Sequence, residues 1–578
     1  MGIDIGGWQG LAVGDIDGDG RDDLYVCQPG GLPNRLFVQN ADGSVAERSA
    51  ELGVDWLEST HGALFVDLDN DGDQDCFAGL DIPLAGEKST ILMNDGSGRF
   101  SEKEASGIGA DFFPAANAIF ADFNGDAKLD LFVGTGQTSY AAADRLYFGK
   151  GDGSFTDATV NLQGNVQRPS NGSVGCDYDD DGDVDIFVST YGVSTLLGHN
   201  VLWENTGGAF VDVAKERGFA AQLTGNYFLS ETGLGQDAEP GKGIETAVGS
   251  NGFGLDCGDI NNDGYLDIFL TAISHANPAD YSRLWSDPSQ ALINQGPEQG
   301  FSFKNEFLQR GIPFNEGDID GALIDYDNDG WLDMSLSRES KYEKAYSSEE
   351  QKGWFGLMHQ RPDGSFESVG LKSGINILEG ENPASLSSCV DDSGCQAGEK
   401  CLKEKCRLPC TEDSECSFKD GQCHSGGFCK LRKTMKKAQN HAWSDIDGDG
   451  DLDLLVGGRD TGGGRPNFLF RNEIGSQNRW MSIKVEGDGE LVNRDAIGTK
   501  VRIVSEEQSL FREVRSSRGM YNSMDTRMLQ FGLGSMGCDY DIQVLWPNGQ
   551  QAQFSSGAVP EEQRLVLKYP DELEVLEP

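Results

Sequence analysis

Seven times along the chain, a stretch with acid at every second residue gives way to a short apolar run of strand length. Examples are Leu24-Tyr25-Val26, Leu131-Phe132-Val133, Ile186-Phe187-Val188 and Leu454-Leu455-Val456. Short runs rich in branched and aromatic residues predict buried strands. A further strand recurs as Arg35-Leu36-Phe37, Ile91-Leu92-Met93, Arg145-Leu146-Tyr147-Phe148, Val201-Leu202-Trp203 and Phe468-Leu469-Phe470. A glycine turn and a phenylalanine then introduce a fourth, at Gly98-Arg99-Phe100, Gly153-Ser154-Phe155, Gly208-Ala209-Phe210 and Gly364-Ser365-Phe366. Four short strands per unit, repeated radially, describe a β-propeller blade, and seven copies predict seven blades. The expected fold is all-β. A seven-bladed propeller spans 1–479, with a cysteine-rich disulfide module at 389–429 inserted in it, and a small β domain spans 480–578.

The acidic stretch follows the pattern Asp-x-Asp/Asn-x-Asp-Gly-x-x-Asp. The copies are Asp15, Asp17, Asp19, Asp23; Asp67, Asp69, Asp71, Asp75; Asp122, Asn124, Asp126, Asp130; and Asp177, Asp179, Asp181, Asp185. They continue with Asp259, Asn261, Asp263, Asp267; Asp325, Asp327, Asp329, Asp333; and Asp445, Asp447, Asp449, Asp453. Side chains at positions 1, 3 and 5 converge when the backbone turns sharply, and glycine at position 6 permits the turn. The third copy has Ala127 there, which puts its site in question. A dense set of oxygen ligands suits a hard cation, and Ca²⁺ takes about 6–8 oxygens. Position 7 varies freely, as expected where a backbone carbonyl is the ligand. No glutamate stands at position 12, so this is not an EF-hand, and the aspartate at position 9 is expected to close the shell. Histidine and cysteine are absent from these positions, which disfavours zinc. The expectation is up to seven Ca²⁺ ions.

The loops start at 15, 67, 122, 177, 259, 325 and 445, giving a base period of about fifty-five residues with later insertions. The long insertions are read as 220–252, 275–300 and 378–437. Nothing like the phenylalanine-led strand precedes Asp15. Either Trp480–Val485 supplies that strand and closes the ring, or an upstream strand lies outside the sequence.

Composition narrows the function classes. The chain has 95 Asp+Glu against 46 Lys+Arg, a formal net charge of −49, which disfavours nucleic acid and anionic membranes as partners. So acidic a chain would suggest disorder, but 9% aromatic residues and 78 glycines point to a folded, turn-rich protein. The loop positions account for 26 of the 95 acids, so much of the excess has a structural assignment. No apolar run is long enough to span a membrane, and the first ten residues do not read as a signal peptide.

These repeats resemble FG-GAP/VCBS repeats, as in the calcium-loaded propeller of integrin α chains. The tail sharpens the resemblance. Asn493-Arg494-Asp495-Ala496-Ile497-Gly498-Thr499-Lys500-Val501, Arg512-Glu513-Val514, Phe531-Gly532-Leu533-Gly534 and Val544-Leu545-Trp546-Pro547-Asn548-Gly549 together resemble the ASPIC/UnbV domain. That domain follows such a propeller in cartilage acidic proteins and their bacterial relatives. The resemblance implies secretion and calcium binding, and bacterial members mostly have no defined activity.

Eight of thirteen cysteines lie between 389 and 429 as two four-cysteine units: Cys389, Cys395, Cys401, Cys406 and Cys410, Cys416, Cys423, Cys429. Without a CxxC pair, four disulfides are the better reading than zinc, and they imply an oxidising compartment. The pairing within each unit stays open. Residues 400–437 hold ten Lys+Arg against five Asp+Glu, a patch that could attract the acidic propeller or an anionic polysaccharide. Cys27, Cys76, Cys176, Cys257 and Cys538 remain, with Cys76 read as a small buried hydrophobe.

Catalytic signals are thin. His61, His199, His275, His359, His424 and His441 show no ligand spacing, and His61 and His441 precede loops two and seven, where core packing is expected. Gly532–Gly537 matches GxGxxG, but a strand-like run follows it, so a dinucleotide site is not expected. Asn171-Gly172-Ser173 is a formal glycosylation sequon. The expected function is a secreted, calcium-dependent binding, adhesion or structural protein without enzyme activity, with an unknown protein or polysaccharide as partner. The alternatives are a lyase-like polysaccharide enzyme or a lectin on the same propeller.

Overall fold

The computed structural model describes residues 10–576 apart from 29, 81–87, 109–113, 137–141, 192–198, 221–251, 274–288, 308, 313–316, 339–354, 371, 376–388, 396, 403–404, 417–420, 425, 432–437, 459–467 and 556–562. The strands form seven successive antiparallel meanders. The inner strands are Leu11–Gly14, Thr60–Val66, Asn117–Ala121, Ser170–Cys176, Gly252–Gly258, Asp318–Ile324 and Ala438–Ser444. Each pairs with a second strand that begins at a position-9 aspartate: Asp23, Asp75, Asp130, Asp185, Asp267, Asp333 or Asp453. Inner strands are buried along their whole length, whereas an outer strand such as Val45–Glu47 is half-exposed. The second strands are buried along their length as well, and strands covered on both faces read as the continuous apolar runs seen in the sequence.

Consecutive inner strands pack side by side, and Leu11–Gly14 lies against both Thr60–Val66 and Ala438–Ser444. A separate apolar cluster joins Leu11, Val13, Leu24 and Val26 of the first sheet to Ala442, Ile446 and Leu455 of the seventh. This is the architecture of a seven-bladed β-propeller. Six sheets have at least four strands, and the seventh has three among the described residues: Ala438–Ser444, Asp453–Gly458 and Phe468–Phe470.

Trp480–Glu486 does not complete the seventh sheet. It lies between Leu529–Gly532 and Gln563–Lys568 in a C-terminal sheet, where its buried side chains Met481, Ile483 and Val485 join the apolar cluster that the C-terminal domain shares with the first four sheets. A second C-terminal sheet has the order Ser509–Glu513, Lys500–Val504, Asp541–Leu545, Gln551–Ser555. The insertion read as 275–300 is also shorter than expected, because Gln290–Asn294 is the third strand of the fifth sheet. Most of 220–252 and much of 378–437 fall outside the described residues.

The cysteine module pairs Cys389–Cys401, Cys395–Cys406, Cys410–Cys423 and Cys416–Cys429, so first joins third and second joins fourth in each unit. A fifth disulfide, Cys176–Cys257, ties the inner strands of the fourth and fifth sheets. Cys76 is a buried thiol, as its place in an apolar strand implies.

Candidate metal centres

Each acidic motif is the connection between the first and second strands of its sheet. Its backbone turns left-handed twice. Position 6 has positive φ throughout, from 64° at Ala127 to 101° at Gly72. Position 4 does the same at Gly18, Asn70, Gly125, Asp180, Asn262, Asn328 and Gly448. Only glycine, asparagine and aspartate stand there, the residues that tolerate this region. This constraint was present in the sequence, but the reading of alternate acids passed over it.

The turns aim backbone N–H groups inward. In every loop the position-6 N–H donates to Oδ2 of the position-1 aspartate, at 2.8–3.0 Å. Ala127 makes this bond at 2.8 Å, so the third loop keeps the common geometry. Position 9 has a second task that the sequence did not reveal. Its Oδ1 accepts the N–H of Gln39, Asn94, Gly149, Asn205, Asn294, Gln360 or Asn472 at the end of the third strand, at 2.7–2.9 Å. In loops one, two, three, five and seven, its Oδ2 accepts the position-2 N–H at 2.9–3.2 Å. Position 9 is therefore first a clamp between strand and loop.

The third-strand amides staple neighbouring sheets. Asn294 donates to Tyr178 O of the fourth loop (2.9 Å) and Leu266 O of its own loop (3.2 Å). Asn94, Asn205, Gln360 and Asn472 make the same pair of bonds, each to the position-2 carbonyl of the preceding loop and the position-8 carbonyl of its own. Gln39 reaches Ile446 O and so joins the first sheet to the seventh. In the third sheet Gly149 takes this place and carries no amide.

With the N–H groups placed, several carboxylate oxygens are left over. Asp15 Oδ1, Asp17 Oδ1, Asp69 Oδ1, Asp179 Oδ1, Asp185 Oδ2, Asp327 Oδ1 and Asp333 Oδ2 are buried without a hydrogen-bond partner. Ligand atoms of Asp15, Asp17 and Asp19, and likewise of Asp67, Asp69 and Asp71, lie within 4.8 Å of one another. Burial, reinforced by the neighbouring carboxylates, pushes Asp23, Asp75 and Asp130 up to about 8 and Asp67, Asp259 and Asp453 up to about 7. Convergent, unpaired anionic oxygens of this kind fit a divalent cation.

One donor was missed. His359, on the third strand of the sixth sheet, sets Nδ1 3.2 Å from Asp327 Oδ2 and 3.3 Å from Asp333 Oδ1. No ligand spacing marks His359 in the sequence, because strand pairing rather than chain proximity brings it over the loop. Its bond to Asp333, followed by the nearby carboxylates, raises the imidazole to about 9.

The C-terminal domain covers this face. Lys500 Nζ lies 2.9 Å from Asp177 Oδ2, Arg564 bonds Asp445 Oδ2 at 2.6 Å, and the Gly532 N–H donates to Asp325 Oδ2 at 3.1 Å. Asp67 N–H donates to Asp495 Oδ2 at 2.8 Å, and Arg502 donates to Gly264 O at 2.8 Å. A segment of the same domain, Arg515 to Thr526, runs along the axis and touches all seven inner strands. Met524 exchanges two 3.0 Å backbone bonds with Leu11 and Val13. Tyr521 stacks on His61 at 4.2 Å, and the Ser516 hydroxyl accepts the Phe120 N–H at 2.9 Å. Gly519 O accepts the Ser173 N–H at 3.3 Å, and Arg515 reaches Asp256. Arg518 donates to Asp320 Oδ2 (2.9 Å) and His441 O (2.9 Å), and Asp525 accepts the Trp443 N–H at 2.9 Å. His61 and His441 are thus inner-strand packing residues, and His441 also bonds Ser335 and Ser337 at 2.8 and 2.9 Å. Asn171 is buried in an inner strand, so the sequon is not presented to solvent.

The fold and these loops define a β-propeller with acidic hairpin loops, capped on one face by a small β domain. Residues 15–78, 67–133 and 122–188 match the FG-GAP-like repeat, and residues 489–574 match the ASPIC and UnbV family. The chain is an FG-GAP-repeat protein with a C-terminal ASPIC/UnbV domain. It is similar to cartilage acidic protein 1 of Xenopus tropicalis, at 25% identity over 367 residues covering 57% of this chain and 48% of that protein. It is also similar to cartilage acidic protein 1 of Homo sapiens, at 26% over 195 residues covering 32% and 28%. The chain therefore spans less than half the length of these relatives. A rhamnogalacturonan lyase of Bacillus licheniformis aligns over 80% of this chain and 71% of its own, at 12% identity and a TM-score of 0.34, a likeness too weak to carry any argument.

Proposed function

We propose that the protein is an extracellular calcium-binding propeller that serves as a binding or structural module. Its seven loops hold up to seven Ca²⁺ ions through the aspartates and asparagines at positions 1, 3 and 5, with help from position 9. The observation that carries this reading is the set of buried, unpaired carboxylate oxygens converging in the loops. Carboxylates so placed repel one another, and a divalent ion removes both the repulsion and the unmet coordination. The five disulfides support an oxidising compartment. No helix among the described residues is long and apolar enough to cross a membrane.

The C-terminal domain lies over the loop face, and Arg515–Thr526 fills the axis. The connections between second and third strands leave from the opposite ends of the sheets. We place the partner surface, for a protein or a polysaccharide, on that opposite face and rim.

Metal analysis of the purified chain is the deciding experiment. A calcium content near seven per chain, with a fall in melting temperature after chelation, is the expected result. A chain free of bound calcium whose melting temperature does not respond to added Ca²⁺ overturns the reading.

A further inference from the structure

The sixth loop differs from the other six in one donor. The residue before the position whose N–H bonds the position-9 aspartate is Val38, Met93, Phe148, Glu204, Ile293 or Arg471 elsewhere, and His359 here. Ligand atoms of Asp327, Asp329 and His359 lie within 4.8 Å of one another, and Asp333 Oδ1 is 3.3 Å from the imidazole Nδ1. A second, independent feature marks this loop, one it shares only with Asp185 of the fourth. Asp333 is fully buried, yet its Oδ2 has no partner. In five other loops the equivalent oxygen accepts the position-2 N–H. Asp327 Oδ1 is likewise buried and unpaired. The sixth loop thus offers one nitrogen and several unpaired oxygens around a common point. Tyr326 stands edge-on to the imidazole with ring centres 6.2 Å apart.

We propose that the sixth loop is a mixed nitrogen–oxygen site that takes a divalent transition-metal ion in preference to Ca²⁺, with His359 Nδ1, Asp327, Asp329 and Asp333 as donors. This rests on the reading of the loops as cation sites and adds a division of labour among them. The reason is donor chemistry. Ca²⁺ is bound by oxygen, while imidazole nitrogen suits Zn²⁺, Fe²⁺, Ni²⁺ and Cu²⁺, with Mn²⁺ the weakest binder of the transition series. When a transition ion displaces its proton, the imidazole facing three carboxylates supplies that ion with a strong bond, and calcium with little. The six all-oxygen loops have no such preference to offer. His359 is about a quarter exposed, so the site has a path to solvent.

The test uses the full chain, stripped of metal and reloaded in excess Ca²⁺ with equimolar Mn²⁺ or Zn²⁺. After gel filtration, elemental analysis should find one transition ion per chain beside calcium. In His359→Gln the transition ion should bind at least about tenfold more weakly, since losing a ligand costs no less than losing its support, while the calcium content does not fall. Pulsed electron paramagnetic resonance of the Mn²⁺-loaded wild-type protein needs no variant and should show nitrogen coupling from an imidazole. The proposal is overturned if the wild-type chain retains no transition ion in excess calcium, if His359→Gln retains it equally, or if the Mn²⁺ signal lacks nitrogen coupling. A calcium content near zero in every sample would instead sink the underlying reading of the loops.

Discussion

The third and sixth loops share a sequence pattern and a backbone, and they live in different surroundings. In the third, Gly125 and Asp126 are exposed, and a side chain added at Gly125 would meet nothing within 4 Å. In the sixth, Asp325, Tyr326, Asn328 and Gly330 are buried. The Gly532 N–H bonds Asp325 from the C-terminal domain, and Asn328 donates to Gly450 O at 2.9 Å and Gly475 O at 3.1 Å. The third loop even lacks the amide staple. At Gly149 a Cβ would lie 2.2 Å from Leu129 O, so no side chain fits there. A common motif thus serves two ends. In the third loop it closes the hairpin between the first and second strands of its sheet. In the sixth it is also part of the joint between domains, because one oxygen of Asp325 faces inward while the other is held by the domain above.

The largest effect should come from metal removal across pH, which acts on every loop at once. Burial raises Asp23, Asp75 and Asp130 to about 8 and Asp67, Asp259 and Asp325 to about 7 in the metal-free fold. The unfolded value is near 3.9. A carboxyl raised on folding stabilises the fold fully below its unfolded value and loses that contribution as pH climbs through its folded value. The metal-free chain should therefore melt at steadily lower temperature from about pH 4 to pH 8. With calcium present the carboxylates stay ionised, metal binding tightens as protons leave, and the decline should shrink or reverse. Melting curves of the stripped and reloaded protein across this window check it. Parallel pH dependence in both samples would sever the link between these carboxylates and the metal.

Arg518 tests whether the joint on the sixth-sheet side matters beyond the loops. It is 2% exposed and bonds Asp320, itself 0% exposed, together with Asp525. Removing one partner of a buried pair costs about 3–5 kcal/mol, because the other charge stays buried. Arg518→Ala should lower the melting temperature in saturating calcium and expose 480–578 to limited proteolysis. A variant with wild-type protease resistance would show that the axial segment fills space without holding the domains together.

The amide staples come next. Asn294→Ala leaves Tyr178 O and Leu266 O without their donor, a loss of about 1–3 kcal/mol for buried carbonyls. The third sheet has no such bond to lose, which predicts faster amide hydrogen exchange on its third strand than on the fifth sheet's. Hydrogen exchange in calcium reads both strands at once. Equal protection would mean that the staples add little to what strand pairing supplies.

What was legible in the sequence follows how local each feature is. The loop pattern, the apolar position 2 and the short strands sit within a few residues of one another, and period and composition expose them. The staples are just as regular in space, but the amides lie 16, 19, 20 or 27 residues beyond their position-9 partners, because insertions of differing length intervene. No fixed spacing remained to be seen. His359 joins the sixth loop for the same reason. The axial segment is more remote still, with Arg518 reaching Asp320 across 198 residues. Trp480–Glu486 shows the opposite error, since a strand was legible and its partners were not.

The smallest effect is expected at Ala127, where the sequence placed the most doubt. Its φ of 64° puts an alanine in the left-handed region, at a cost of about 1–2 kcal/mol relative to glycine. Two terms oppose that cost. Glycine would enlarge the unfolded ensemble, which destabilises by about 0.4–1 kcal/mol. Ala127 is only 5% exposed, and losing its buried methyl removes up to about 0.8 kcal/mol. The sum lies near zero, so Ala127→Gly should change stability by less than about 0.5 kcal/mol in calcium. The Ala127 N–H already bonds Asp122 Oδ2 at 2.8 Å, as its glycine counterparts do, so calcium content should be unchanged too. A variant that gains one calcium per chain would show that the alanine had disabled the third loop despite its matching backbone.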